Sequence, residues 1–485
     1  MPSPPHAHSD ATSSNERSLA VLVTVLAAAS LPALVRIARV IPLRVSLDVN
    51  EGWNAYQAVA AFAGDLYPHP ARFFFNNYPP LSFYVVGAVA RVVGDPIVAG
   101  RSIGLVMFLA LGVIAALAAR QMRCTRTEAA FGAAMFVATT LALSHYVGMN
   151  DPQFLGQAVT TAAVPCLLPE PRSWRRLWLA AACLSAGIFI KHNLVALPLA
   201  AVAWLWISDR VAARRLIVCG SVFAIAGAAL CLLLFGRGFV DALDAPRAFS
   251  TAVTVRAFFR WIVRVPVFLA ALAVLLRRFP RDPHVAFCAW YAGLASILGL
   301  WFVGGDGVDW NVLFESNWAF CLTAAVALNR LPARVRIALA TAFALLPAIA
   351  GGLALRHATL EPESTLLTAV ASAKAVAGRA DRVAAFDEAI ALVAHAQGPA
   401  LCEDLAICFW AGRPAEVDFV NLRQHVKAGS HVDEGLVWLL DRHAYAIVQL
   451  SAIDALPGPK LREALPRSYV LAQRSPAGLL FVPRD

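Results

Sequence analysis

Apolar segments of about 20 residues recur along the first three-quarters of this chain, and a helix needs about that length to cross the hydrocarbon core of a bilayer. The chain is 59% hydrophobic and only 15% charged, whereas a soluble domain is closer to a quarter charged. The sequence therefore predicts an α-helical polytopic membrane protein with about 11 spans. These are residues 18–41, 97–119, 127–147, 152–168, 177–191, 193–208, 216–235, 257–276, 284–303, 311–329 and 334–355.

Arginines gather in five short clusters between these segments: RQMRCTR, PRSWRR, DRVAARR, RRFPRD and NRLPARVR. Such clusters are typical of cytoplasmic loops. All five fall inside if the N-terminus is inside and residues 79–94 do not cross. That segment has about 16 residues and carries Arg91, so it is short for a span. We expect it to form a re-entrant or interfacial helix.

The net charge of +10 comes largely from these clusters. A nucleic-acid binder would instead carry a basic face on a soluble domain, so we expect no nucleic-acid partner.

The same topology places the polar loops on the other side of the plasma membrane. They are residues 44–78, GMNDPQ at 148–153, the turn at Lys191, residues 237–256 and GGDGVDWN at 304–311. These loops hold most of the acidic and amide residues near the membrane. A binding or reaction site is therefore expected at the extracytoplasmic face.

The chain divides into three parts by composition. Residues 1–17 are rich in Pro, Ser and His and are predicted to be disordered. Residues 18–356 form the membrane domain, with 44–78 as its first outer loop. Residues 357–485 mix helical stretches with the strand-like pieces PALCEDL, PAEVDFV, YAIVQLS and SYVLAQR, which predicts a soluble extracytoplasmic α/β domain.

The chain has nine cysteines, and most stand alone in apolar segments, where they are interpreted as small core residues. Cys402 and Cys408 lie in the polar C-terminal part and could pair if it is outside the cytoplasm. No Cys/His spacing indicates a metal site, and no Walker A or HExxH element is present. We predict no cofactor; a divalent cation could sit between the acids and a phosphate, but no ligand set requires one.

The first outer loop opens with LDVNEGWNAYQA, which carries Asp48 and Glu51. Residues spaced i,i+3 share one face of a helix. Two neighbouring acids raise the pKa of one of them, and such a carboxylate can act as a general base on a hydroxyl. The alternative is a solvated acid pair near a helix N-terminus.

Further polar residues stand beside this loop in the expected topology. Lys191, in FIKHN, could bind a phosphate or could snorkel to the outer headgroups. Asp151 lies in a turn signal, and Asn77 and Tyr78 precede a double proline that could form a wall beside the acids.

The segment GGDGVDWNVLFE places Asp309 and Asn311 in a tight loop and Glu315 one turn into an apolar helix. A carboxylate at that depth needs a partner. Lys191, Arg247 and Arg256 are the candidates, and an ion pair that locks two helices is the structural alternative.

The segments DVNEGWNAYQAVAAFAGDLYPH and NNYPPLSFYVVGAVARVVGDPIVAGRSIGL resemble the first outer loop of GT-C-fold glycosyltransferases. The nearest group is the bacterial relatives of glycosyltransferase family 39, which includes protein O-mannosyltransferases and the aminoarabinose transferase of lipid A. The resemblance continues through FIKHN, GVDWNVLFE and ALCEDLAICFWAGRPAEVDF. The family's acids are adjacent, whereas Val49 and Asn50 separate them here.

The resemblance implies a hexosyl- or pentosyltransferase that takes its sugar from a polyprenyl-phosphate donor and delivers it, with inversion, to an envelope lipid, glycan or protein. It implies a catalytic acid in the first outer loop, where Glu51 is the best match and Asp48 the next. Lys191 and Arg256 are expected to bind the donor phosphate, with membrane lipid as a further partner. The expected substrate pocket comprises Trp53, Asn54, Asn77, Tyr78, Asp151, Asp309, Asn311 and Glu315.

Two other functions fit parts of the sequence. Intramembrane acids and a lysine could serve a proton-coupled secondary transporter, although no internal repeat is visible in the chain. A non-catalytic envelope scaffold with the C-terminal part as binding module is the other alternative.

Overall fold

The computed structural model describes residues 6–67, 73–143, 146–245, 247–356 and 372–484. Its N-terminal part is built of helices joined by short loops, with one 3₁₀ turn at Trp310–Leu313. The helices are α1 (His6–Val40), α2 (Asn50–Ala63), α3 (Leu81–Val93), α4 (Pro96–Gln121), α5 (Arg126–Leu143), α6 (Gln153–Thr161), α7 (Val164–Leu167), α8 (Trp174–Ile190), α9 (Ala196–Ser208), α10 (Arg210–Phe235), α11 (Arg237–Leu243), α12 (Thr251–Ile262), α13 (Pro266–Arg278), α14 (Pro283–Val303), α15 (Phe314–Arg330) and α16 (Ala333–Arg356).

Five described segments are long and apolar enough to cross a membrane, and the count is six if α12 and α13, which are bent by 76°, form one span. The multi-pass membrane protein expected from the sequence is confirmed, but the count of 11 spans is not. Helix α3 has 13 residues, or about 20 Å of helix, which is short for a span. Helix α1 begins at His6, inside the segment predicted to be disordered.

Proline and acidic residues fix where several spans begin. Asp95 accepts hydrogen bonds from the N–H groups of Ile97 and Val98, with Pro96 at the first helical position of α4. Asp282 caps α14 in the same way, followed by Pro283. An acceptor at the cap satisfies free N–H groups of the first turn, and proline needs none there. The cap residues thus determine where α4 and α14 begin.

Helix α15 runs through the centre of the bundle. In the segment Trp310–Arg330, 94% of the most apolar 18-residue stretch is buried inside the protein, whereas the corresponding share in α10 is 17%. Its Trp318 is fully buried and donates to the carbonyl of Leu111 in α4.

The arginine clusters meet at one end of the bundle. Arg330 bonds Asp282 and the carbonyl of Met122, and Arg172 bonds Asp209. The polar loops that follow α5, α8 and α14 lie at the opposite ends of these helices.

The C-terminal part is an α/β unit, as expected. It contains α17 (Ser372–His395), β1 (Ala400–Cys402), α18 (Leu405–Trp410), α19 (Phe419–Lys427), α20 (Asp433–Asp441), β2 (Ile447–Leu450), α21 (Gly458–Ser468), β3 (Tyr469–Ser475) and β4 (Gly478–Pro483). The sheet order is β1-β2-β4-β3, with β1 parallel to β2 and the other pairs antiparallel. The piece PAEVDFV is not a strand: it makes one bridge, from Val417 to Phe73, and then enters α19.

This unit packs on the first outer loop. A Cβ atom on Gly52 of α2 would lie 2.0 Å from the backbone nitrogen of Ala406 in α18, so only glycine permits the approach. The disulfide Cys402–Cys408, a pairing that the sequence allowed, encloses this stretch of α18. Trp410 donates to Asp95 at the start of α4 across 3.0 Å. The contacts join the C-terminal unit to the ends of α2 and α4.

Candidate functional site

A cavity of about 400 Å³ lies where the polar loops meet the C-terminal unit. Its walls come from the first outer loop, the loop after α5, the turn after α8, the segment before α12, the loop after α14, and α19. The lining includes Asn50, Trp53, Asn54, Asn77, Tyr78, Tyr146, Asp151, Lys191, His192, Asn193, Arg247, Asp309, Asn311, Val420, Asn421 and Gln424.

Lys191 is the most buried cation of the cavity. It ends α8, its side chain is 2% exposed, and its Nζ lies 3.2 Å from Oδ1 of Asp151 and 5.5 Å from the ring centre of Tyr78. Burial opposes the charge, but Asp151 and Tyr78 outweigh burial and raise the pKa of Lys191 above its usual value. The ammonium is therefore charged at neutral pH.

Arg247 and His192 lie on the same cavity. Desolvation first, and then the charges of Arg247 and Lys191, lower the pKa of His192 to about 4. The imidazole is thus neutral at pH 7 and can donate or accept a hydrogen bond, while the two neighbours supply positive charge.

Tyr146, in the loop after α5, lies in the electrostatic field of three carboxylates. Burial, followed by the fields of Asp151, Asp309 and Asp48, raises the pKa of Tyr146 well above its usual value, so the phenol keeps its proton. Asp309 accepts from the N–H of Trp310. Asp151 accepts from the N–H of Gln153 and from Lys191, and both described bonds use Oδ1.

Side-chain amides make up much of the remaining lining. Asn54 donates to the carbonyls of Asn50 and Asn150 at 3.0 and 2.9 Å. Asn77 donates to Oδ1 of Asn421, in α19, at 2.7 Å. Amides offer a donor and an acceptor without charge, so this part of the cavity suits a neutral hydroxyl-rich ligand.

Glu51 does not line the cavity. Its carboxylate is fully buried and receives Nε and Nη2 of Arg101, with the first contact at 2.8 Å. It also accepts from the N–H groups of Leu47, at 2.8 Å, and Asn150, at 3.0 Å. Four donors occupy the carboxylate, so this geometry argues against the role of general base that the sequence suggested for Glu51.

Asp48 lies just before α2 and is half-buried. Its Oδ1 accepts from the backbone and the side-chain amide of Asn50, at 2.9 and 2.7 Å. Asn50 lines the cavity, whereas Asp48 is not part of its lining.

The structure corrects two further expectations. Glu315 is buried inside α15, where the hydroxyl of Tyr291 donates to it at 3.3 Å, so neither Lys191 nor an arginine is its described partner and it does not line the cavity. Arg256, on α12, does not line the cavity, whereas Arg247 does.

The other expected pocket residues do meet there: Trp53, Asn54, Asn77, Tyr78, Asp151, Lys191, Asp309 and Asn311. Sequence reasoning missed Tyr146, His192, Asn193, Asn421 and Gln424. The motif FIKHN contains His192 and Asn193, so its polar turn could have indicated both. No local sequence pattern indicates that Asn421 and Gln424 of α19 line the cavity. Within the described ranges, no group of three or more His, Cys, Asp or Glu residues could hold a metal ion.

Comparison with known proteins bears on the fold. The sequence model of the dolichyl-phosphate-mannose-protein mannosyltransferase family matches residues 77–236. The crystal structure of ArnT from Cupriavidus metallidurans in the apo state is 15% identical with a TM-score of 0.60, over 94% of this chain and 98% of that chain. The crystal structure of ArnT from Cupriavidus metallidurans bound to undecaprenyl phosphate is 15% identical with a TM-score of 0.59, over 95% of this chain and 97% of that chain. No curated protein matches significantly.

The chain thus has the GT-C fold of ArnT over nearly its whole length. The resemblance to family 39-like membrane glycosyltransferases, noted in the sequence motifs, is confirmed in the matched segment, which holds Asn77, Asp151 and Lys191, and in the fold.

Proposed function

We propose that this protein is a membrane glycosyltransferase that moves a sugar from a polyprenyl-phosphate donor to an envelope acceptor at the extracytoplasmic face. The observation that carries the proposal is the cavity itself. Its lining combines two cations, Lys191 and Arg247, with the carboxylate of Asp151 and several amides, at the ends of apolar helices. The fold is that of ArnT, one of whose structures contains undecaprenyl phosphate.

The disulfide supports the sidedness of this proposal. Disulfides persist in oxidising compartments and are rare in the cytosol. The Cys402–Cys408 bond therefore favours an extracytoplasmic C-terminal unit. The cavity lies on the same side, and the arginine clusters lie at the other end of the helices.

The donor phosphate would bind to Lys191 and Arg247. Charge-assisted hydrogen bonds from these groups to phosphate oxygens are stronger than neutral ones, and neutral His192 can add another. Asp151 already compensates the charge of Lys191. An incoming phosphate competes for the same ammonium and frees the carboxylate.

We assign the role of general base to Asp151, because phosphate binding to Lys191 would free its carboxylate. The acceptor hydroxyl oxygen attacks the anomeric carbon, the bond from that carbon to the phosphate oxygen breaks, and its electron pair stays on the phosphate. The hydroxyl proton passes to Asp151. One direct displacement inverts the anomeric centre. Positioning and the fixed positive charges supply most of the rate, and proton removal adds about 10²–10⁴-fold.

Asp48 is the alternative base. It acts electrostatically on Tyr146 at the cavity and bonds the side chain of Asn50. Glu51 is assigned a structural role instead, because all four of its described partners are donors that hold it inside the protein.

The test is transfer of radiolabelled sugar from undecaprenyl-phosphate hexoses to cell-envelope acceptors by purified protein. Asp151→Asn should lower kcat by roughly 10²-fold or more, and Lys191→Met should raise the KM for the donor. Arg256→Gln is the matched control, because this arginine is exposed and outside the cavity; it should keep wild-type rates. Full activity in Asp151→Asn with loss in Asp48→Asn would move the base to Asp48. No transfer by the wild type from any donor would refute the proposed function.

A further inference from the structure

One wall of the cavity belongs to the C-terminal unit. Val420, Asn421 and Gln424 lie in the first two turns of α19 and line the same space as Lys191 and Asp309. A ligand that fills the cavity must therefore touch a helix that lies about 230 residues beyond Lys191 in the chain and outside the membrane part.

Bonds on both sides hold α19 against the membrane part. Asn77 donates to Asn421 at 2.7 Å, and Lys427 bonds Asp306 at 2.7 Å. The ring of Phe75 stacks on His425 with ring centres 4.5 Å apart. These contacts come from the first outer loop and from the loop after α14, so the wall is fixed at two places.

Gln424 differs from its neighbour Asn421. Both amide atoms of Asn421 are used, since its Nδ2 donates to Asp418 and its Oδ1 accepts from Asn77. The side chain of Gln424 is 5% exposed and lines the cavity, and it makes no hydrogen bond among the described residues. Its amide is therefore available to a ligand in the cavity.

Two more lining amides share this property in the described part of the chain. Asn311 is 6% exposed, and its side chain makes no described hydrogen bond. Oδ1 of Asn193 is buried without a partner. The three amides come from three separate segments and converge on one cavity, so their unused donors and acceptors define a built polar subsite.

Gln424 also lies close to the loop after α14. A Cβ atom on Gly307 would lie 2.3 Å from its Nε2, and Gly307 has φ +72°, a conformation that favours glycine. The absence of a side chain at Gly307 thus leaves room for this amide beside the loop after α14.

We propose that Gln424, with Asn311 and Asn193, binds the hydroxyls of the sugar carried by the donor lipid, and that the C-terminal unit thereby determines sugar specificity. This inference rests on the proposed function. The subsite is uncharged and offers both donors and acceptors, which suits a neutral polyhydroxy ring. The phosphate has Lys191 and Arg247 instead, so the two halves of the ligand would be recognised by different chemistry.

The test measures binding, so that it does not depend on turnover. The purified full-length protein is titrated with undecaprenyl phosphate and with undecaprenyl-phosphate glucose, mannose and galactose. The wild type should bind at least one sugar-linked lipid more tightly than the bare lipid. Gln424→Met keeps the length of the side chain and removes the hydrogen bonds. It should cut this affinity ratio roughly 2- to 13-fold, the value of one neutral hydrogen bond, and leave the Kd for undecaprenyl phosphate unchanged.

Lys460→Gln is the control in the same C-terminal unit, because its exposed ion pair with Glu434 contributes little and lies outside the cavity; both Kd values should stay at wild type. The inference is overturned if the wild type shows no sugar-dependent affinity, if Gln424→Met leaves the ratio unchanged, or if it weakens both lipids equally, which would indicate packing alone. A sugar-dependent affinity that Gln424→Met reduces, without any transfer by the wild type, would refute the transferase activity and leave the subsite standing.

Discussion

Replacing Glu51 with Gln should destabilise the fold and leave the chemistry of the folded protein intact. Arg101 is fully buried in α4 and gives its Nε and Nη2 to the Glu51 carboxylate. The same guanidinium donates to the carbonyls of Leu43 and Val45, at 2.8 and 2.6 Å. The pair therefore connects the start of the first outer loop with helix α4.

The size of the effect follows from the partners of the carboxylate. Two oxygens of Glu51 receive four donors, from Arg101, Leu47 and Asn150. Gln offers one acceptor oxygen, and its NH₂ group must face the remaining donors in either orientation. Breaking a buried ion pair from one side costs about 3–5 kcal/mol, which is a large share of the 5–15 kcal/mol that typically separates folded from unfolded protein.

The assay follows intrinsic tryptophan fluorescence of the detergent-solubilised protein on heating at one scan rate, because large proteins often unfold irreversibly. Glu51→Gln and Arg101→Met should each lower the midpoint clearly. The double variant Glu51→Leu with Arg101→Met should lie nearer the wild type than Arg101→Met alone, since it leaves no unpaired charge. A Glu51→Gln protein with the wild-type midpoint and no transfer activity would refute this reasoning and return Glu51 to the reaction.

Two further predictions concern a histidine of the cavity lining and the disulfide of the C-terminal unit. The folded pKa of His192 is about 4, against 6.5 for the free side chain, so between these values the unfolded chain binds a proton that the folded protein does not. Stability should then fall as the pH drops from 6.5 to 4, and thermal midpoints of His192→Gln should show a shallower fall; equal slopes would contradict the assigned pKa. Replacing Cys402 and Cys408 by Ser should lower the free energy of unfolding of the C-terminal unit by about 2 kcal/mol, from the entropy of a short closed loop. Denaturant unfolding checks this, and an unchanged midpoint in wild type with and without reductant would contradict it.

The sequence predicted the class of fold and the clustering of the polar loops at one end of the helices because both depend on composition and periodicity. It could not predict which acid faces inward. Asp48 and Glu51 were expected on one helical face, but α2 begins at Asn50, so Asp48 precedes the helix and Glu51 sits in its first turn. Arg101 was the missed signal: a lone arginine inside an apolar segment needs a partner, and Glu51 is the acid that pairs with it.

The role of the C-terminal unit was out of reach for a different reason. PAEVDFV has the composition of a strand, but Asp418 accepts from the N–H groups of Val420 and Asn421 and starts α19 instead. A local hydrogen bond decided between two elements of similar propensity. Only the folded chain shows that this helix meets Gly307 and Asn77, so no local pattern could have assigned Gln424 to the cavity.

Lys191 and Asp151 show how two ambiguous residues define a site together. Alone, the lysine could snorkel and the aspartate could simply start a helix. In the structure they lie 40 positions apart in sequence and 3.2 Å apart in space, with side chains 2% and 9% exposed. A buried ion pair is a weak source of stability, because desolvation offsets the attraction, so stability alone is a poor reason for one at a cavity wall. An anionic ligand in the cavity can replace Asp151 as the ion-pair partner of Lys191 while the lysine stays in place. In the mechanism that we propose, the pair balances the lysine charge while the site is empty and frees the Asp151 carboxylate when a phosphate binds, so that the carboxylate can accept the proton of the incoming hydroxyl.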